Sequence, residues 1–188
     1  MLTGMVLAGG RSSRMGQDKA MMELGGQTLL ARATMLLEHT GCDEVLVSRN
    51  QPGYVQDLVC EAGPLGGIYT VLQQIPSRGG LLIVPVDMPA LSTGLLQALV
   101  EVGRISGRPC CYQHCYLPLY LPVSATTCAI VHQELQEGGG SVKSLLDHFG
   151  GIQLVCQRPS QLQNINCPTD WQGYTSQFAP TEKEAIRP

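Results

Sequence analysis

Residues 7–19 read LAGGRSSRMGQDK, and they bring three cations, three glycines and one aspartate together at the end of a short apolar run. Adjacent glycines at Gly9 and Gly10 let successive backbone N–H groups converge on one anion. Arg11 and Arg14 can fork onto phosphate oxygens, and Lys19 adds a point charge. The chemistry expected of this segment is the binding of a phosphate chain. An ordinary glycine turn with solvated charges has no need of so many cations. The spacing is not a Walker P-loop, because Gln17 rather than lysine follows Gly16. It is not GxGxxG either, because Gly9 and Gly10 are adjacent.

Residues 84–89 (VPVDMP) carry the second signal: an aspartate, Asp87, at the end of an apolar strand, with Pro89 turning the chain. One carboxylate in that place can hold a Mg²⁺ that substrate phosphates also ligate, the usual manner for this ion. A helix-capping or Asx-turn role ahead of Ser92 is the plain alternative. The cationic segment nearby favours the metal. Residues 61–67 (EAGPLGG) give a strand-end acid, Glu61, and a glycine-rich helix start where backbone can approach a base or ribose. A tight β–α turn would use the same glycines. Residues 162–170 (LQNINCPTD) hold Asn164 and Asn166 on an extended stretch, where they are expected to face opposite sides. An inward amide oxygen could join the metal or a substrate, and capping of the helix after Pro168 is the equal alternative. His39, His114, His132 and His148 lie outside these segments and read as surface or packing residues. No G-x-S-x-G hydrolase signature is present.

The elements that position these residues are short apolar segments punctuated by glycine and proline. Strands are expected over residues 3–8, 44–48, 58–60 (weakly), 81–86, 109–113, 116–121 and 152–156. Helices are expected over 28–38, 64–74, 92–102, 124–135, 141–149 and 168–174, with Thr28 and Ser92 as caps. The alternation predicts a three-layer α/β/α sandwich of Rossmann-like type with a mainly parallel sheet. Residues 81–86 are apolar on both faces, as an inner strand of a parallel sheet should be. In such sheets ligands sit outside the carboxyl ends of the strands, which directs attention to the residues after Ala8, Ser48, Cys60 and Val86.

With 188 residues, one domain over 1–178 is expected, followed by a polar tail, 179–188, without periodicity. Apolar residues make up 44%, enough for a core. Charged residues are only 14% and the net charge is −3, which excludes a broad electrostatic grip on nucleic acid or an acidic membrane surface. No apolar run approaches the roughly 18 residues of a membrane helix. Residues 3–8 open without a basic region ahead of an apolar stretch and cleavage site, so no secretory signal and a cytoplasmic setting are expected. The eight cysteines are then expected as reduced thiols packed like small hydrophobes. Cys110, Cys111, His114 and Cys115 form a single cluster. Zinc sites draw ligands from two separated places, so a buried strand is the simpler reading.

The motifs LAGGRSSRMGQDK, EAGPLGG, VPVDMP and NINCPTD, in that order, resemble those of the MobA-like nucleotidyltransferases over roughly residues 3–174. The resemblance implies the α/β/α sandwich of nucleotide-sugar transferases with a mixed sheet. It implies guanine and phosphate contacts from Leu7, Ala8 and Gly9, extended by Gly10 and Arg11, and a phosphate contact from Lys19. Asp87 would hold Mg²⁺, and Asn164 and Asn166 would lie near a pterin substrate or the metal. Residues 138–146 (GGGSVKSLL) resemble the acceptor loop, with Lys143 as its cation. The LAGG form is usual in the guanine-using branch, which joins GMP from GTP to molybdopterin and releases pyrophosphate. Cofactor-insertion proteins or apo-molybdoenzymes are then the expected partners. Family members often carry asparagine where Ser48 stands, an acid for which Glu61 is the nearest match, and His-Pro or Gln-Pro where Leu117-Pro118 stands. Rival readings are a cytidylyltransferase, a sugar-phosphate nucleotidyltransferase and a non-catalytic nucleotide-binding module. A module has no use for Lys19 and Asp87 together. In the expected chemistry, Arg14, Lys19 and Asp87 spread cationic charge along a triphosphate.

Overall fold

The computed structural model describes residues 1–9, 17–59, 61–137 and 141–176. Its main sheet has six strands in the order β4-β1-β5-β7-β6-β8. They are β1 (Leu2–Leu7), β4 (Glu44–Ser48), β5 (Gly79–Pro85), β6 (Cys110–Tyr112), β7 (Cys115–Val123) and β8 (Ile152–Leu154). β4, β1 and β5 run parallel, as do β6 and β8, while β7 is antiparallel to both its neighbours. The sheet is therefore mixed but mainly of one direction. A two-stranded hairpin, β2 (Glu23–Leu24) with β3 (Gln27–Thr28), stands apart from it.

Side-chain alternation splits the core between the two faces of the sheet. On β5, Leu82 and Val84 join one cluster and Leu81 and Ile83 the other, all fully buried. The first cluster is closed by α1 (Leu29–Thr40) and α3 (Thr93–Ser106). The second is closed by α2 (Gly63–Leu72), α4 (Ala125–Gln136) and α5 (Val142–His148). These are the three layers the alternation of elements predicts. α6 (Pro168–Thr175) packs Trp171 and Tyr174 against the first cluster.

Helix starts follow the local chemistry. The Thr28 hydroxyl accepts from Ala31 N at 3.1 Å, Ser124 from Thr127 N at 3.0 Å and Ser141 from Ser144 N at 3.0 Å. Ser92 stands at the start of α3 but its side chain makes no capping bond.

Three expectations are corrected. Residues 58 and 59 are not a strand, and Leu58 is 64% exposed, so nothing repays its extension into the sheet; Cys60 lies outside the described residues. β5 has a parallel neighbour on one side only, because β6 returns as β7 through a two-residue turn, Gln113-His114, with His114 at φ +61°. A 3-10 helix at Lys19–Met21 and another at Pro159–Leu162 lie where no element was read. Cys110 and Cys111 are buried on opposite faces of β6, while Cys42, Cys115, Cys128, Cys156 and Cys167 are partly buried.

Tyr120 of β7 lies against the backbone of Gly103 in α3, where an added Cβ would come within 2.0 Å of the ring carbon Cδ1. A Gly103→Ala change gains up to about 1 kcal/mol in helix propensity. The overpacking of a full ring costs more, so the net expectation is destabilisation by about 1–3 kcal/mol. Chemical denaturation of the variant should show a lower midpoint with an unchanged slope. Burial pushes the Cys42 and Cys111 thiols up to about 11. Both should therefore alkylate far more slowly in the folded protein than in denaturant at mildly alkaline pH, read by mass spectrometry of the labelled peptides.

Candidate active site

Leu7 pairs with Ser48 on one side and with Pro85 on the other, so β4, β1 and β5 end on one line. Two further bonds carry the ladders past the strand ends: Ala8 N donates to Ser48 O at 3.0 Å, and Val86 N to Leu7 O at 3.0 Å. A cavity of about 260 Å³ opens there, lined by Leu7, Ala8, Gly9 and Ser48 on one side and by Lys19, Asp87 and Asn164 on the other.

Lys19 reaches this cavity from its own short helix. The Asp18 side chain accepts from Ala20 N at 3.1 Å and so caps the 3-10 turn that carries the lysine. Lys19 Nζ then donates to Asp87 Oδ2 at 3.2 Å and to Asn166 Oδ1 at 3.1 Å. Both charged side chains are mostly buried, 17% and 19% exposed, which strengthens their interaction relative to a surface pair. The segment bearing the asparagines is fixed against the same loop, because Ile165 is buried and its N–H donates to Asp87 O at 2.8 Å. Residues two apart on extended chain share a face. Asn164 and Asn166 accordingly turn together away from the Ile165 side, against the expectation of opposite faces. They also line a second, larger cavity of about 900 Å³ with Cys115, Cys156, Gln163 and Tyr174. This cavity adjoins the first through Asn164, common to both linings.

Asp170, in the first turn of α6, holds that segment from behind. Its carboxylate accepts from Asn166 N at 2.8 Å and from Cys167 N at 3.0 Å. Hydrogen bonds from the Cys167 side chain and then from these two N–H groups hold its carboxyl below the usual carboxylate value.

Of the expected site residues, Leu7, Ala8, Gly9, Lys19, Ser48, Asp87, Asn164 and Asn166 come together at this strand end. Gly10, Arg11 and Arg14 lie outside the described residues. Glu61 does not line either cavity. It sits at φ +58° on the turn into α2, with its side chain exposed, and no strand precedes it. Lys143 is exposed on the first turn of α5 and lines neither cavity. Besides Asp18 and Asp87, the acid that lines the first cavity is Asp57, which belongs to none of the sequence motifs. Ser48 Oγ donates to Asp57 Oδ1 at 3.3 Å, Asn50 Nδ2 to Asp57 Oδ2 at 3.0 Å, and Asp57 N to Asn50 Oδ1 at 2.7 Å. Asn50 is thus engaged in fixing Asp57. The residue that follows Ser48, Arg49, was passed over as well, although the rule of searching beyond strand ends points to it.

A family described as the MobA-like NTP transferase domain matches residues 4–159. A molybdenum cofactor guanylyltransferase from Xanthomonas euvesicatoria pv. vesicatoria is 37% identical over 90% of this chain and 92% of its own length. Among solved structures, molybdopterin-guanine dinucleotide biosynthesis protein A from Archaeoglobus fulgidus superposes with a TM-score of 0.76 at 18% identity, covering 95% of this chain and all of that one (100%). The 2-C-methyl-D-erythritol 4-phosphate cytidylyltransferase from Thermus thermophilus superposes with a TM-score of 0.67 at 17% identity, over 94% of this chain and 98% of that one. At these identities the two structures speak for the fold alone.

Folding lowers the Asp170 pKa, so its hold on Asn166 and Cys167 is complete above the ordinary value of 3.8 and is lost as pH falls through the depressed one. Hydrogen-exchange protection of the Asn166 and Cys167 amides, relative to unstructured rates, should fall across that acid window. In Asp170→Asn the same protection should already be lower at neutral pH, and the acid step should be gone.

Proposed function

This chain belongs to the MobA-like NTP transferase domain family, and we propose that it transfers GMP from GTP to the terminal phosphate of molybdopterin, releasing pyrophosphate. The observation that carries the reading is the 37% identity to a guanylyltransferase across 90% of the chain. The geometry supports the reaction class. A phosphate-binding lysine and a strand-end aspartate stand 3.2 Å apart at the mouth of a cavity, with a second and larger cavity next to it. We assign the cavity of Leu7, Ala8, Gly9, Ser48 and Asp57 to the nucleotide and the cavity of Asn164 and Asn166 to the acceptor. The domain over residues 1–178 is read as one unit serving this reaction.

The family calls for a divalent metal, and we take it to be Mg²⁺. The donors present are hard oxygens, Asp87 carboxylate with the Asn164 and Asn166 amides close by. Among the described residues no group of three or more His, Cys, Asp or Glu side chains could cage an ion unaided. One carboxylate completed by substrate phosphates is how Mg²⁺ is usually held, so the residues fit. Asp87 would hold the ion, which supplies charge neutralisation to the phosphate chain.

The reaction forms a bond between an acceptor phosphate oxygen and the α-phosphorus of GTP and breaks the bond from that phosphorus to the bridging oxygen of pyrophosphate. A phosphate monoester has its second pKa near ~6 and attacks as the dianion, so no general base is required. No histidine lines the nucleotide cavity. The barrier is the meeting of two anions, and the chain lowers it by alignment and by cationic charge. Lys19 serves the oxygens toward which charge moves as pyrophosphate departs. Arg11 and Arg14 are proposed to add to that charge. Product handling by cofactor-insertion proteins or apo-molybdoenzymes, in the cytoplasm, completes the proposal; no helix among the described residues is long and apolar enough to cross a membrane.

The test is pyrophosphate release with each nucleoside triphosphate, Mg²⁺ and molybdopterin. GTP should be preferred over CTP and ATP, since a wrong base leaves buried polar groups unpaired at about 1–3 kcal/mol each. Equal or faster turnover of CTP would move the protein to the cytidylyl reaction on the same fold. Asp87→Ala should abolish most turnover with the melting temperature little changed. Lys19→Ala should lower kcat by roughly 10²–10³ and affect KM for GTP less. A raised KM with kcat intact would make Lys19 a binding residue only.

A further inference from the structure

Arg49 follows β4 directly, and its side chain is 5% exposed. Among the described residues it is the one charged side chain in the buried class. Its surroundings are defined on every side. The backbone N–H donates to Val55 O at 2.8 Å, and its carbonyl accepts from Gln51 N at 2.7 Å. The Tyr54 ring lies under the guanidinium, with its centroid 5.4 Å away. Nη2 donates to Asp18 Oδ2, while Nη1 is buried with no hydrogen-bond partner.

As a stabilising device this arrangement is poor. Burying a guanidinium is costly, an apolar side chain of similar volume often serves stability as well, and an unsatisfied buried donor adds to the cost. What the pair does deliver is geometry. The other oxygen of the same carboxylate caps Ala20 N and so begins the 3-10 turn at Lys19. The Asp18 carboxylate therefore joins two things, a guanidinium locked at the end of β4 and the residue next to the lysine. Asp18 alone is 42% exposed, and a lone exposed cap on a three-residue turn would leave that turn loosely placed. The locked guanidinium refers it to the sheet.

We propose that Arg49 is a positioning residue, which sets Lys19 against Asp87 and Asn166 by clamping Asp18 to the end of β4. It acts through Asp18 and need not touch substrate. The kinetic part of this inference rests on the reaction proposed above; the placement of Lys19 does not.

The experiment uses Arg49→Met, which keeps volume without charge, and Arg49→Lys, which keeps charge without the fork. The protein has three lysines, Lys19, Lys143 and Lys183, so a lysine-specific protease reports on Lys19 separately. In Arg49→Met, native-state cleavage after Lys19 should rise about tenfold while cleavage after Lys143 is unchanged, as for a local opening. Turnover should fall about tenfold to a hundredfold in kcat, with KM for GTP within about threefold. Arg49→Lys should recover part of both. On a Lys19→Ala background, Arg49→Met should cost little more, because the groups act in series. Cleavage after Lys19 unchanged in Arg49→Met would overturn the proposal. So would losses that multiply with Lys19→Ala, or an effect confined to KM, which would make Arg49 a direct ligand contact. If the wild-type protein releases no pyrophosphate with GTP, the reaction is wrong, and the cleavage comparison alone then decides for or against the clamp.

Discussion

The common ending of β4, β1 and β5 is the constraint on which the site rests. Leu7 is in register with both Ser48 and Pro85, so three chain segments leave the sheet side by side and in the same direction. Each brings a different group to the same place: Ala8 and Gly9 from β1, Ser48 and Arg49 from β4, Asp87 from β5. Parallel pairing makes this possible, since strand carboxyl ends then coincide and the connecting helices lie on the faces, out of the way. The continuous ladders of β1 with β4 and with β5 hold these endings level.

At the strand ends, space matters as much as charge. Gly67, in the first turns of α2, faces Ser48. A Cβ there would come within 2.5 Å of the Ser48 hydroxyl and 3.2 Å of Leu7 Cδ2. The absence of a side chain thus lets α2 lie against the ends of β1 and β4. Beside the second cavity the same end of the sheet is built differently. β7 runs against β5, so its beginning, around Cys115 and Leu117, meets the endings of the parallel strands.

Much of this could be read from the sequence, for identifiable reasons. Alternating apolar segments give the layers, and of the two caps read from the sequence, Thr28 bonds at the start of α1 while Ser92 does not at the start of α3. Asp87 is legible because the cationic segment nearby weighs against a plain capping or Asx-turn role for an aspartate at a strand end. The direction of β7 could not be read from its hydrophobicity, which is the same for either direction, although the two-residue link at Gln113-His114 carried the hint. Asp57 and Arg49 were missed because neither belongs to a motif and each acquires meaning only through its neighbour, Asn50 for one and Asp18 for the other. Glu61 is the acid nearest the family pattern along the chain, but it sits exposed at φ +58° and lines neither cavity. The Asn164 and Asn166 error was one of periodicity, corrected by the burial of Ile165 between them.

The hydrogen bond from Lys19 to Asn166 joins residues 147 positions apart, whereas Lys19 and Asp87 are separated by 68. During synthesis from the N-terminus, β1, β4 and β5 can pair and their shared end can take shape long before Asn166 has left the ribosome. The contact of Lys19 with Asp87 can therefore form early, and its contact with Asn166 late. A nascent or truncated chain that stops short of Asn164 would carry the first cavity without the wall it shares with the second. Closing so long a loop is slow relative to local pairing. Arrival of the segment bearing Asn164 and Asn166 thus becomes the event that completes the wall shared by the two cavities.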